Sequence, residues 1–188
     1  MVTFQQLDFR SNQVAHWAAD HGFVAGDVCA LYMENRIEYV VFWLGLCKAG
    51  VSIAFINNTI RKGPLVHSIA ISNAKMVIYG TDSSDAIETV SGQLESQHGI
   101  SCFASGLSTE FDDALGLYST SRVDPCVRKG IHFGSVFGFV YTSGTTGLPK
   151  AVRVTHLKQW SFGAGYSFVG VTSRDVLYSS GKFIFRRK

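Results

Sequence analysis

The chain has 188 residues, enough for one domain with a hydrophobic core. Hydrophobic residues make up 46% of it and charged residues 16%, a composition that excludes intrinsic disorder as the general state. The formal net charge is +3, and the basic excess lies in the last residues, which contain no acid: Lys182, Arg186, Arg187 and Lys188. A nucleic-acid-binding domain would carry a basic face on the fold itself. We therefore expect no nucleic-acid partner and interpret the tail as a solvated chain end.

The first hundred residues predict alternating helices and strands. Thr3 and Gln6 have the spacing of a helix-capping box, and Gly22 stands where that helix is expected to end. The elements predicted next are strands over 28–33, 52–56, 75–79 and 100–104 and helices over 37–49, 63–72 and 84–97. Uniformly apolar strands that alternate with helices are typical of a parallel sheet covered on both faces. We therefore predict an α/β fold with a mostly parallel sheet flanked by helices.

The periodicity fades between residues 105 and 134, and we interpret this stretch as a variable connecting segment with a brief helix near 112–118. The chain then predicts a strand over 136–141, a strand over 151–155 and a helix over 156–168. No internal repeat or low-complexity tract is present.

The most apolar stretch of the sequence runs from residue 40 to residue 56. Lys48 and Gly50 interrupt it, so it predicts a buried helix followed by a buried strand and not a membrane span.

The four cysteines form no CxxC pair, which indicates a reducing compartment and predicts no zinc site: Cys29, Cys47, Cys102 and Cys126.

One segment, Tyr-Thr-Ser-Gly-Thr-Thr-Gly-Leu-Pro-Lys over residues 141–150, carries recognisable chemistry. Gly144 and Gly147 allow positive φ and a close approach of the backbone to a ligand, and successive N–H groups in such turns can converge on an anion. Hydroxyl and ammonium donors come from Thr142, Ser143, Thr145, Thr146 and Lys150. Ser, Thr, Gly and Pro are also ordinary loop residues, and the glycine spacing is not that of a Walker loop. The residues alone leave a phosphate site and a plain loop both open.

Residues 141–150 resemble, position by position, the phosphate-binding signature of the AMP-binding, adenylate-forming synthetases. Other segments are similar to the fatty acid transport proteins, also called very-long-chain acyl-CoA synthetases: residues 3–8, 26–28, 43–50 and 174–178, with Asn57 and Arg61. The resemblance covers about residues 3–178 and is weakest over 105–134.

This resemblance implies a long- or very-long-chain fatty acid–CoA ligase, which makes acyl-AMP and pyrophosphate from ATP and a fatty acid and then transfers the acyl group to coenzyme A. It implies a nucleotide-phosphate site at Tyr141, Thr142, Ser143, Gly144, Thr145, Thr146, Gly147 and Lys150, with Mg²⁺ accompanying ATP. It assigns no catalytic residue and no protein ligand to a metal here. It also implies membrane association at the cytosolic face of the endoplasmic reticulum or plasma membrane.

After Tyr178 the sequence departs from the family pattern and continues as a divergent basic tail over 179–188. We therefore expect residues 1–178 to form a partial adenylation domain, an N-terminal fragment that is inactive as a ligase by itself and, without an anchor, cytosolic. Two alternatives stay open: an adenylate-forming ligase for another carboxylate, and a non-catalytic fragment that binds the full-length enzyme or a membrane. His156 is a further candidate for nucleotide contact beside the loop, with helix capping or packing as the favoured alternative.

Overall fold

The computed structural model describes residues 2–106, 109–142, 147–172 and 175. Its helices are α1 Phe4–Asp20, α2 Ile37–Lys48, α3 Lys62–Ala70, α4 Ser84–His98, α5 Glu110–Gly116 and α6 His156–Phe168. Its strands are β1 Val28–Tyr32, β2 Ser52–Phe55, β3 Met76–Gly80, β4 Ser101–Ser105, β5 Val136–Thr142 and β6 Lys150–Thr155. Every predicted helix and strand is present, with small shifts at the ends. The predicted basic tail over 179–188 lies outside the described residues.

The strands form one sheet in the order β4-β3-β1-β2-β5-β6. The first five strands in that order are parallel to one another, and β6 pairs with β5 in the antiparallel sense. The prediction of a mostly parallel sheet flanked by helices is confirmed. The direction of β6 could not be read from its own residues, because a short apolar strand has the same pattern in either sense.

Helices cover both faces of the sheet, and alternate residues of β1 show how the core divides. Cys29 and Leu31 are buried with residues of α1 and α2, whereas Ala30 and Tyr32 are buried with residues of α3 and α4. Successive side chains of a strand point to opposite faces. An entirely apolar strand is therefore what a sheet between two helix layers requires.

The first helix begins as its sequence predicts. The Thr3 hydroxyl accepts a hydrogen bond from the Gln6 backbone N–H at 3.1 Å, and the Gln6 side-chain oxygen accepts one from the Thr3 N–H at 2.9 Å. Both bonds satisfy donors that a helix N-terminus leaves without partners. The capping box is confirmed.

The segment after β4 packs against α1, although its sequence shows little periodicity. The Asn12 side-chain amide donates to the Thr120 carbonyl at 2.7 Å. The Gln13 side-chain amide donates to the carbonyls of Gly116 and Tyr118 at 3.0 and 3.2 Å. Side-chain amides of α1 therefore hold a stretch whose own pattern gives no sign of that contact.

The apolar stretch over 40–56 becomes most of α2 together with β2, as predicted. Within the described ranges, no helix combines the length and the hydropathy that crossing a bilayer demands.

Candidate functional site

The candidate site lies at the edge of the sheet where the parallel strands end. β5 ends at Thr142 next to β2, with Val140 in register with Phe55. In open α/β sheets, ligands bind in the crevice outside the carboxyl ends of the parallel strands. The segment over 141–150 therefore starts where this kind of fold places its ligands.

A hairpin carries the candidate phosphate loop. Thr142, the last residue of β5, is in register with Lys150, the first residue of β6, and both are exposed. Side chains of directly opposed residues lie on the same face, with Cβ atoms roughly 4.5–5.5 Å apart. The side chains of Thr142 and Lys150 thus leave the hairpin on the same face at the base of the loop. Gly147 turns the chain at φ +85°, in the region that favours glycine.

Four predicted site residues lie outside the described residues, namely Ser143, Gly144, Thr145 and Thr146. The remaining four, Tyr141, Thr142, Gly147 and Lys150, are brought together at the two ends of the loop.

Tyr141 differs from the other three because its side chain is buried. The phenol donates a hydrogen bond to the Ser68 carbonyl in α3 at 2.6 Å. Burial raises the pKa of Tyr141 to about 12, so the phenol stays protonated and keeps its donor at neutral pH. The side chain of Tyr141 therefore fixes the end of β5 against α3, and its hydroxyl points away from solvent.

α3 makes a second contact with the loop, on its other side. His67 Nε2 lies 3.2 Å from the carbonyl oxygen of Pro149, the residue just before Lys150. The histidine spacing in the sequence contained no sign of this contact, because His67 and Pro149 are 82 positions apart. Tertiary packing alone brings them together.

The segment after β2 leaves the sheet at the same edge as the loop, because β2 and β5 are parallel neighbours. The Arg61 guanidinium donates through Nη1 to the Tyr32 hydroxyl and to the Asn58 carbonyl, both at 2.6 Å. The Asn57 side-chain oxygen accepts from the backbone N–H and the hydroxyl of Thr59 at 3.1 and 3.0 Å. Asn57 and Arg61, which carried part of the sequence resemblance, thus order the turn that follows β2.

Lys150 supplies a positive charge at the base of the loop, and the sequence from residue 125 to residue 174 contains no Asp or Glu. In the part of the chain that the structure describes, the salt bridges involve other cations, and Lys150 takes part in none of them. An exposed, unpaired ammonium in an acid-free segment attracts a negatively charged ligand.

His156 is not beside the loop, and the prediction of that location is wrong. β6 runs away from the loop, because Lys150 faces Thr142 while Thr155 faces Val136 at the opposite edge of the sheet. Five residues of extended strand, at roughly 3.3 Å each, separate His156 from the loop by about 17 Å or more.

At that far edge, His156 is the first residue of α6 and its ring is packed. This agrees with the favoured alternative, which was helix capping or packing. The His156 ring stands edge-on to Phe137, with ring centroids 5.5 Å apart, and the backbone N–H donates to the Ser135 carbonyl at 3.1 Å. Burial, together with the nearby His132, lowers the pKa of His156.

Among the described residues, no group of three or more His, Cys, Asp or Glu side chains is arranged to hold a metal ion.

Comparison with known proteins agrees with this geometry. The family model described as AMP-binding enzyme matches residues 1–185. The chain is 39% identical over 186 residues to long-chain fatty acid transport protein 1 of Homo sapiens, in a match that covers 94% of this chain and 28% of that protein. It is 35% identical over 188 residues to long-chain fatty acid transport protein 2 of Rattus norvegicus, covering 95% and 30% respectively. The chain thus spans less than a third of the length of these relatives.

A solved structure supports the fold. The chain superimposes on the crystal structure of ATP-bound MatB from Rhodopseudomonas palustris with a TM-score of 0.73 and 21% sequence identity, covering 89% of this chain and 32% of that one. The resemblance to fatty acid transport proteins that the sequence indicated is confirmed, and so is the adenylate-forming type of fold.

Proposed function

The chain belongs to the AMP-binding enzyme family, and from that premise we propose that it binds the phosphates of ATP where β5 ends. The observation that carries the proposal is the pairing of Thr142 with Lys150 at the base of a glycine-containing loop. A hydroxyl and an ammonium on one face supply a hydrogen-bond donor and a positive charge. Charge-assisted hydrogen bonds of this kind are the stronger ones for phosphate oxygens.

We extend the proposal to the two-step reaction of a long- or very-long-chain fatty acid–CoA ligase. An oxygen of the fatty acid carboxylate attacks the α-phosphorus of ATP, and the bond from that phosphorus to the pyrophosphate oxygen breaks, which leaves acyl-AMP. The thiolate of coenzyme A then attacks the acyl carbon, and AMP leaves with the electron pair of the broken bond. The fatty acid substrate follows from the names of the relatives, which are long-chain fatty acid transport proteins.

The contribution of this chain to the first step is positioning and charge. Lys150 offsets negative charge on the phosphates, and Thr142 donates through its hydroxyl. Gly147 gives the backbone its turn, and Tyr141 holds the end of β5 in place from within the core. Because phosphoryl chemistry needs phosphates held in line more than covalent help from the protein, such placement carries much of the catalytic effect.

The residues between these positions complete the proposed site. By the family resemblance, Ser143, Thr145 and Thr146 donate to the β- and γ-phosphates, and Gly144 lets the backbone approach. We propose that Mg²⁺ accompanies ATP and offsets phosphate charge there. We assign it no protein ligand, because the described residues contain no cluster that fits one.

We propose that residues 1–178 act as part of an adenylation domain and that residues 179–188 form a separate basic tail. Less than a third of the length of the relatives is matched here, so the ligase reaction requires groups beyond this stretch. We also propose that the protein associates with the cytosolic face of the endoplasmic reticulum or plasma membrane, because its relatives are fatty acid transport proteins.

Isothermal titration of the chain with ATP and Mg²⁺ tests the phosphate site. We expect wild-type binding, a loss of about tenfold or more in affinity for Lys150→Gln, and no change for Lys158→Gln. Removing a hydrogen bond to a charged group costs roughly 1.5–3 kcal/mol, which is tenfold or more in affinity. Lys158 is the matched control, since it is an exposed lysine of the same acid-free segment, on α6. Equal affinities for wild type and Lys150→Gln would refute the site.

A second assay addresses the reaction. Pure chain incubated with ATP, a long-chain fatty acid and labelled pyrophosphate should show no fatty-acid-dependent exchange of label into ATP. Exchange above the level without fatty acid would show that this stretch adenylates on its own, against the proposal.

A further inference from the structure

Two adjacent residues of α3 contact the two ends of the candidate phosphate loop. The Ser68 carbonyl accepts from the Tyr141 phenol, where the chain enters the loop. The His67 ring reaches the Pro149 carbonyl, where the chain leaves it. One short stretch of one helix therefore holds both ends.

The His67 contact has a defined chemistry. A backbone carbonyl can only accept a hydrogen bond, so His67 Nε2 must carry the hydrogen and donate it to Pro149. A neutral imidazole protonated at Nε2 does this, and so does an imidazolium. The contact therefore needs a donor at that position of the side chain and does not need a charge.

α3 is a firm support for such a contact. Its side chains Leu65 and Ile69 are fully buried in the core between the sheet and α4. The Ser68 hydroxyl donates to the Pro64 carbonyl at 2.8 Å within the same helix. A side chain rooted on a packed helix can fix a loop more narrowly than loop residues fix themselves.

The Pro149 carbonyl is a useful place to hold the loop. The proline ring restricts its own φ to about −65°, and the next residue is Lys150, whose backbone is in register with Thr142. Fixing the carbonyl of Pro149 fixes the peptide plane that leads into Lys150. The position of the lysine along the sheet edge then depends on His67 as well as on the pairing of β5 with β6.

We propose that His67 is a positioning residue of the phosphate loop, which holds Pro149 and thereby Lys150 at the place where a nucleoside triphosphate binds. The part that concerns the ligand rests on the proposed function, whereas the part that concerns the loop does not. Preorganisation of this kind raises affinity because less ordering is left to be done when the ligand arrives.

The test compares three variants of the chain. His67→Phe keeps a ring of similar size and removes the donor, whereas His67→Gln keeps a donor that can reach a carbonyl. His16→Phe is the matched control, because His16 is also half-buried and its Nε2 lies 3.0 Å from the Ser121 carbonyl, away from the loop. If His67→Phe fails to fold, His67→Ala takes its place.

Two readouts separate the parts of the proposal. Hydrogen–deuterium exchange of residues 147–152 without ligand reports on the loop, with β1 as internal reference. Titration with ATP and Mg²⁺ reports on binding. We expect His67→Phe to speed exchange over 147–152 several-fold and to weaken ATP binding by about two- to tenfold, the usual range for one hydrogen bond. His67→Gln should restore both, and His16→Phe should change neither.

Each outcome is decisive. If wild type binds no ATP but the exchange results hold, the positioning of the loop by His67 stands and the proposed function fails. If ATP binds and His67→Phe matches wild type in exchange and affinity, the inference about His67 is wrong and the proposed function survives. If His67→Gln behaves like His67→Phe, the hydrogen bond is not the cause and the inference is overturned.

Discussion

The phenol of Tyr141 donates a 2.6 Å hydrogen bond to the backbone carbonyl of Ser68, and both residues are buried. These residues are 73 positions apart, one at the end of β5 and the other within α3. The bond joins the strand that enters the candidate phosphate loop to the helix layer beneath it. The position of the loop is therefore set by the core as well as by its own sequence.

Tyr141→Phe removes this bond and keeps the ring. We expect the free energy of unfolding to fall by about 1–2 kcal/mol, because the Ser68 carbonyl loses a donor in a buried place. Urea denaturation followed by circular dichroism measures the change. Tyr166→Phe, at an exposed position of α6, is the control and should leave stability unaltered. Equal stability of both variants would show that the Tyr141–Ser68 bond adds nothing.

Gly45→Ala tests the close crossing of α1 and α2. A Cβ atom at Gly45 would lie 2.5 Å from Cβ of Val14 and 2.7 Å from the Ser11 carbonyl oxygen. Overpacking of this kind typically costs about 1–3 kcal/mol, which outweighs the gain of roughly 1 kcal/mol from replacing glycine in a helix. We therefore expect a lower midpoint of thermal unfolding.

The control for this variant is Gly92→Ala in α4, where a Cβ would meet nothing within 4 Å. Only the helix-propensity gain remains there, so that variant should unfold at the same or a higher temperature than wild type. A Gly45→Ala protein as stable as Gly92→Ala would mean that the two helices separate easily.

His156 should make stability depend on pH. Its pKa is lower in the folded chain than the ordinary value of 6.5, because burial disfavours the charged ring. Between the two pKa values the unfolded state binds more protons, so stability rises with pH there. The contribution is complete above pH 6.5 and is lost as the pH falls through the folded pKa.

Urea titrations between about pH 7.5 and 5.5 measure this dependence. Wild type should lose stability toward the acidic end. His156→Phe, which keeps a ring against Phe137, should lose less, because its ring cannot be protonated. The same slope in both proteins would assign the pH dependence to other groups.

The cysteines should differ sharply in reactivity toward a thiol reagent in the native state. Cys126 is exposed, whereas Cys29 is fully buried and burial raises the pKa of its thiol. Burial also raises the pKa of Cys47 to about 12 and that of Cys102 to about 11. The hydrogen bond with Asp124 raises the pKa of the Cys126 thiol as well, so exposure is what sets Cys126 apart. Since a reagent must reach the thiolate, we expect Cys126 to be labelled first, with the others labelled after unfolding. Mass spectrometry identifies the labelled site, and early labelling of Cys29 would contradict the packing of β1.

Much of the fold could be predicted because its signals are local. The capping box at Thr3 and Gln6, Gly50 and Gly99 after their helices, and the apolar strands each act within a few residues along the chain. Such signals survive in the sequence as spacing and residue type, so the helices and strands were found in order. The phosphate loop was predicted in the same way, from the family resemblance of ten consecutive residues, and its binding of phosphate stays a prediction.

The tertiary structure decided what depends on distant partners. It set β6 antiparallel to β5, which carried His156 to the far edge of the sheet, and it placed His67 against Pro149. Hydrogen bonds between residues tens of positions apart produce no periodic pattern in the sequence, because neither partner has unusual neighbours along the chain. The amino-acid sequence by itself thus determined the helices and strands and supplied the hypothesis of a phosphate loop. Packing determined which helix holds the loop, since only packing selects one pairing of strands and helices among the many that the same local signals allow.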